Sequence, residues 1–271
     1  MRRARSGRIT ARALLALAVL ALAGALAVEW GAGELAQAER SQEGNLIVSL
    51  DGGLSPLKLP RDRPAPVSIH LDGGLQTADG TQLPRVTQVE LGLPGQGVLS
   101  TSGLPTCGLR RLRSTTSEEA RSVCAGALVG DGEVRADVLL PNQDPFTIQA
   151  SLLAFNGRVG GQRAVLIHAF AAKPPIVVTL PFLVREGEGR FGTALVADLP
   201  PTLGPWPHFA SFEMNFSRRF EYRGRSRSYI SASCPIPRRF TAGFFSFARA
   251  IFTLEDGRTM GTSIARSCRA G

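Results

Sequence analysis

Between residues 39 and 271 the chain alternates apolar and polar positions with a period of two. In 209–216, Ala210, Phe212, Met214 and Phe216 point one way, and Ser211, Glu213 and Asn215 the other. This pattern predicts a strand with one buried and one wet face. Residues 244–254 are apolar on both faces, with Phe245, Phe247 and Ile251 opposed to Phe244, Ala248 and Phe252. A central strand covered on both sides reads this way. Glu255-Asp256-Gly257-Arg258 follows, and Met260, Ile264 and Cys268 then recur at even positions, which predicts a hairpin. Further strands are predicted over 45–50, 66–71, 86–93, 134–140, 146–155, 163–170, 176–184, 191–198 and 228–234. These are runs of β-branched and aromatic residues between turn signals such as Asp51-Gly52-Gly53, Asp131-Gly132 and Asn156-Gly157. One segment, 114–123, reads as a short helix, because Thr115-x-x-Glu118 and Thr116-x-x-Glu119 each suit a capping box.

About twelve strands and one small helix predict an all-β fold built as a two-sheet antiparallel β-sandwich, with a pair of fused small β domains as the runner-up. Leu50-Asp51-Gly52-Gly53-Leu54 and Leu71-Asp72-Gly73-Gly74-Leu75 match, but one local duplication is too little for a repeat array. The proline-rich stretch 200–207 reads as a long loop inside one domain.

The N-terminus changes the setting. Arg2, Arg3, Arg5, Arg8 and Arg12 precede a run of 16 Ala, Leu, Val and Gly residues over 13–28. A basic segment followed by a short apolar run is the layout of a signal peptide. Small-x-small sites stand at Ala25-Leu26-Ala27 and Ala36-Gln37-Ala38. As a helix, the apolar run spans about 24 Å against a hydrocarbon core of roughly 30 Å, which favours cleavage over a retained anchor. The reading is a signal peptide over 1–38 (an uncleaved anchor being the alternative), a short linker over 39–45 and the β-sandwich domain over 46–271. No later segment is long and apolar enough to span a membrane as a helix.

Composition refines this picture. Gly 30 and Pro 18 fit a turn-rich chain, and 44% apolar residues suit a packed core. The net charge of +9 rests on 31 basic residues of which only Lys58 and Lys173 are lysine, a bias that reads as genomic base composition. The basic excess of the mature chain lies in 205–271, which holds 11 arginines and four acids.

In an exported chain Cys107, Cys124, Cys234 and Cys268 predict two disulfides. Four cysteines permit three connectivities. Pairing neighbours, Cys107 with Cys124 and Cys234 with Cys268, closes modest loops worth about 3 and 4 kcal/mol in chain entropy. No cysteine has a CxxC partner or a nearby histidine, so no metal site is predicted.

Catalytic patterns are missing. There is no Gly-x-Ser-x-Gly elbow, no Ser-x-x-Lys and no phosphate loop. His70 shares a strand face with Ser68 and Asp72, His168 reads as a hydrogen-bonded core histidine, and His208 follows a proline. The one concentrated surface feature is 218–227, where Arg218, Arg219, Arg223, Arg225 and Arg227 accompany a single acid. Arg223-Gly224-Arg225 is expected at a hairpin tip, with arginines above it on a wet face and with Phe220 and Tyr222 on the other. Edge protection explains such a hairpin. The functional alternative is contact with an anionic cell-envelope polymer or lipid headgroups, since guanidinium groups grip phosphate.

Gly103-Leu104-Pro105-Thr106-Cys107 with Cys124, Phe155-Asn156-Gly157 with His168, and 228–235 with Phe247-Ala248-Arg249, Asp256-Gly257 and Cys268 form a pattern. It resembles uncharacterised exported proteins of high-GC Gram-positive bacteria over roughly residues 46–271. The resemblance implies secretion and a β-sandwich, and it brings no activity or ligand. The expectation is an exported, non-enzymatic β-sandwich protein of the cell envelope with a binding or structural role and no cofactor or nucleic-acid partner. The alternatives are an envelope polysaccharide hydrolase, needing two carboxylates about 5–10 Å apart in a cleft, and a lipid or small-ligand carrier, needing an apolar cavity.

Overall fold

The computed structural model describes residues 39–201 and 207–271. The expected signal segment and the centre of the proline-rich loop lie outside the described residues. The first strands are β1 (Glu39–Glu43), β2 (Leu46–Ser55), β3 (Lys58–Leu59), β4 (Ala65–Pro66), β5 (Ser68–Thr77), β6 (Val86–Pro94) and β7 (Gly97–Leu99). Two short helices follow, α1 (Leu109–Leu112) and α2 (Ser117–Val123). The chain continues through β8 (Leu128–Val138), β9 (Phe146–Val159), β10 (Gln162–Ala172), β11 (Pro175–Glu186), β12 (Phe191–Asp198) and β13 (Pro207–Phe216). It ends with β14 (Arg219–Tyr222), β15 (Arg225–Ser228), β16 (Ile230–Ala232), β17 (Ala242–Leu254) and β18 (Thr259–Ala270).

The fold is mostly β, as the alternation predicts. In place of a two-sheet sandwich of about twelve strands, 13 strands join in one sheet in the order β1-β2-β5-β13-β8-β9-β10-β11-β12-β6-β17-β18-β3. Its pairs are antiparallel except β18 with β3. Strands twist, so a sheet of this many curls, and the curl brings β18 against β1 and β2. Alternation marks which face is apolar but not whether that face meets a second sheet or its own continuation, and here it meets its own continuation.

Two β-bulges decide which aromatics face inward. The β17–β18 register shifts between Ser246 and Ala248, so Phe247 and Ala248 are both buried while Phe244 is left 77% exposed. The double-sided burial expected of 244–254 therefore fails at its start. The β13–β8 register shifts between Phe209 and Ser211, which turns Phe209 to the face of Phe212 and Met214. β8 and β13 approach so closely that a Cβ on Gly132 would lie 1.9 Å from the Glu213 carbonyl oxygen.

Residues 39–43, read as linker, form the edge strand β1. The segment Glu-Arg-Ser-Gln-Glu carries no apolar alternation because both of its faces are largely exposed. The predicted helix appears as α2, opened by a capping box: Thr116 N–H donates to Glu119 Oε2 at 2.7 Å, and Glu119 N–H to Thr116 Oγ1 at 3.3 Å. Four-residue α1 is too short to show a period. Both helices pack Leu112 and Ala120 on Leu153, Phe155 and Leu166, the outward face of β9 and β10. The Cys107–Cys124 disulfide clips this pad, and Cys234–Cys268 ties β18 to the segment after β16; their Cα separations are 5.6 and 5.9 Å.

A small sheet, β4-β16-β7, finishes one end of the curl. β7 follows β6 through a two-residue turn, and Tyr229 N–H donates to the Arg218 carbonyl just past β13 at 2.9 Å. β6 and β13 run in the same direction, so this sheet sits where both end.

Candidate functional site

Inside the curl lies a cavity of about 480 Å³, within the roughly 300–1,000 Å³ of small-molecule sites. It is built from the inward positions of consecutive strands. These include Ile69 and Leu71 of β5, Val89 and Leu91 of β6, Val134 and Ala136 of β8, and Ile148 and Ala150 of β9. Ile167 and Ala169 of β10, Val178, Leu180 and Phe182 of β11, and Phe209, Phe212 and Met214 of β13 complete it. Among the described residues every lining side chain is apolar except for the hydroxyl of Tyr229. The inward side chains of β11 are only half-buried, because they face this space rather than a packed neighbour. A lining of this kind gives water few partners and favours apolar guests.

The two ends differ. At one, Leu99 and Ile230 of the small sheet, with the adjoining Tyr229, close the lining. At the other, Leu140, Phe146, Pro174 and Ile176 form a rim, with Phe146 and Ile176 each 37% exposed. Burial pushes the Tyr229 hydroxyl well above the usual phenol range, against a smaller opposite pull from the Arg163 charge. It therefore remains a proton donor at neutral pH.

The arginine-rich segment forms the hairpin β14–β15, with Arg223 and Gly224 at its tip, both at positive φ (52° and 68°). This is the backbone of a two-residue hairpin turn. The register sets Phe220 opposite Arg227 and Tyr222 opposite Arg225. Opposed residues project to the same side, so Arg225 and Arg227 share the face of Phe220 and Tyr222 rather than lying opposite them as expected. Arg219 lies on the other face with Glu221. Arg219, Arg223, Arg225 and Arg227 are exposed, and Arg218 is half-buried.

Acidic residues line up elsewhere. Cross-strand register aligns Asp51, Asp72, Glu213 and Glu133 on the outward face, away from the cavity, whose lining among the described residues holds no carboxylate. His70 joins this row, 3.2 Å from Asp72 and 2.9 Å from Asn215 Oδ1. Desolvation first, and then the Asp51 charge, raise the Asp72 carboxyl above its ordinary range. His168 is fully buried under the helical pad with Nδ1 3.2 Å from Thr179 Oγ1. His208 is also buried, with Nε2 2.8 Å from Gln82 Nε2. The three histidines thus lie apart, and among the described residues no group of three or more His, Cys, Asp or Glu side chains is placed to hold a metal.

The cavity was not legible as a site in the sequence. Its one signal is that inward positions stay apolar across seven strands with no charged interruption. Compared with known proteins, the chain matches no family model, no curated protein and no solved structure.

Proposed function

We propose that this protein is an exported carrier that holds an apolar or amphiphilic small molecule inside its curled sheet. The observation that carries this reading is the cavity of about 480 Å³ with its apolar wall. Burying a guest there removes apolar surface from water on both partners, worth about 25 cal/mol per Å². The two disulfides support an extracytoplasmic location. The exposed arginines of the β14–β15 hairpin suit contact with an anionic envelope polymer or lipid headgroups. Among the described residues no helix is long and apolar enough to cross a membrane. The hydrolase alternative finds no support, since the aligned carboxylates stand on an open outer face and not in a cleft.

The test is fluorescence titration with the apolar probe N-phenyl-1-naphthylamine. Wild type is expected to bind it, and a variant carrying Ala150→Phe and Ala169→Phe, which fills the cavity, is expected to lose binding while keeping its β-sheet circular dichroism. A wild type that leaves the probe in water overturns the carrier reading.

A further inference from the structure

Near the end of the cavity bordered by β7 and β16 stand three hydrogen-bond donors without partners, one on the cavity lining (Tyr229) and two on arginines next to it in the register, outside the lining itself. Tyr229 is 2% exposed and lines the cavity, and its hydroxyl makes no hydrogen bond among the described residues. Arg218 stands directly across from Tyr229: the Tyr229 N–H bonds its carbonyl, one step beyond the Arg219–Ser228 pair. Opposed residues project to the same side, and Arg218 Nε is buried without a partner. Arg163 comes from β10. Its Nη2 donates to the Leu99 carbonyl at 2.8 Å, Leu99 pairs with Ile230, and its Nε too is buried without a partner. Neither guanidinium faces a carboxylate among the described residues.

The two guanidinium groups only donate and carry two positive charges, and the Tyr229 hydroxyl adds a proton that it can donate. What this end lacks is an anionic acceptor, because leaving buried donors unsatisfied is costly. The rest of the cavity is apolar. Along β11 it runs from Phe182 to Ile176, roughly 20 Å at about 3.4 Å per residue, room for a long alkyl chain.

Resting on the carrier reading, we propose that the ligand is a single-chain anionic amphiphile, bound with its carboxylate or phosphate head at Tyr229, Arg163 and Arg218 and its tail toward the rim of Phe146 and Ile176. A neutral head would leave the two positive charges uncompensated and a cationic head would add repulsion, so the site discriminates by charge as well as by length.

Displacement of bound N-phenyl-1-naphthylamine tests this, with palmitate, hexadecyl phosphate, methyl palmitate and hexadecyltrimethylammonium as competitors. One or both anions are expected to compete at concentrations at least about tenfold below the ester, as charge-assisted hydrogen bonds allow, and the cation most weakly. Whichever anion competes better identifies the head group. Arg163→Gln, Arg218→Gln and Tyr229→Phe are each expected to shrink the acid-to-ester ratio about threefold or more while leaving methyl palmitate unchanged, which also reports that the variant is folded. Equal competition by acid and ester in wild type overturns the proposal, as does a ratio that survives every folded variant. If the probe itself does not bind wild type, it is the carrier reading that fails.

Discussion

Arg266 of β18 reaches across to β2, where its Nε donates to the Gly52 carbonyl at 2.5 Å and its Nη2 pairs with the Asp51 carboxylate. The two side chains are only 13% and 27% exposed. They join strands near opposite ends of the 13-stranded order, where no ladder of backbone hydrogen bonds exists. The curl is held shut here by a side-chain clasp, and the cavity depends on the curl.

Removing one partner of such a half-buried pair leaves the other charge uncompensated. Arg266→Ala and Asp51→Ala are each expected to destabilise by about 2 kcal/mol or more, with the double variant costing less than the sum. A double-mutant cycle of urea unfolding curves measures this coupling; additive losses would mean that the clasp contributes nothing of its own.

The two disulfides act on different parts of the molecule. Replacing Cys234 and Cys268 together by Ser is expected to cost about 4 kcal/mol by loop entropy and to speed hydrogen exchange in β18. Replacing Cys107 and Cys124 is expected to cost about 3 kcal/mol and to loosen only the helical pad. Probe binding should survive the second change, because the pad packs on the outward face of β9 and β10.

His168 makes stability fall on acidification. Burial holds its imidazole below the ordinary value of 6.5, with a smaller opposing effect from the Thr115 backbone as hydrogen-bond acceptor, so the unfolded chain takes up the proton first. This contribution is complete above about pH 6.5 and is lost as pH falls through the folded value. Asp72 works in the opposite sense: its raised folded value gives stability below 3.8 that is lost as pH rises through that value. His168→Gln is therefore expected to flatten the drop in urea midpoint between pH 7.5 and 5.5. An unchanged slope would assign the acid sensitivity to another group.

The β14–β15 hairpin gives a salt-dependent expectation. Wild type should co-sediment with phosphatidylglycerol vesicles at low salt and release as salt rises. At about 1 kcal/mol per arginine near an anionic surface, the combined Arg223→Ser, Arg225→Ser and Arg227→Ser variant should bind about a hundredfold more weakly. Probe binding in the cavity should be unchanged. Vesicle binding that persists in the triple variant would point to a different contact surface.

Local rules in the sequence determined a good deal of this protein. Alternation at 209–216, the Asp256-Gly257 turn, the capping box at Thr116 and Glu119, and the glycine at the arginine hairpin tip all act over a few residues. Each appears in the structure close to where it was read. For the cysteines the sequence leaves three connectivities open, and the neighbour pairing it favours is the one in the structure. Tertiary structure alone decided the rest. The bulges at Phe209–Ser211 and Ser246–Ala248 reverse the parity that alternation assigns, because they answer to the partner strand and not to the strand's own pattern. The insertion of β6 between β12 and β17 depends on pairings about a hundred residues or more apart in the chain. Whether an apolar face packs against another sheet or encloses a void depends on the accumulated twist of 13 strands and on a clasp between Asp51 and Arg266, which sequence spacing does not encode. Arg163, Arg218 and Tyr229 become one cluster only because β10, the end of β13 and β16 converge at the same end of that curl.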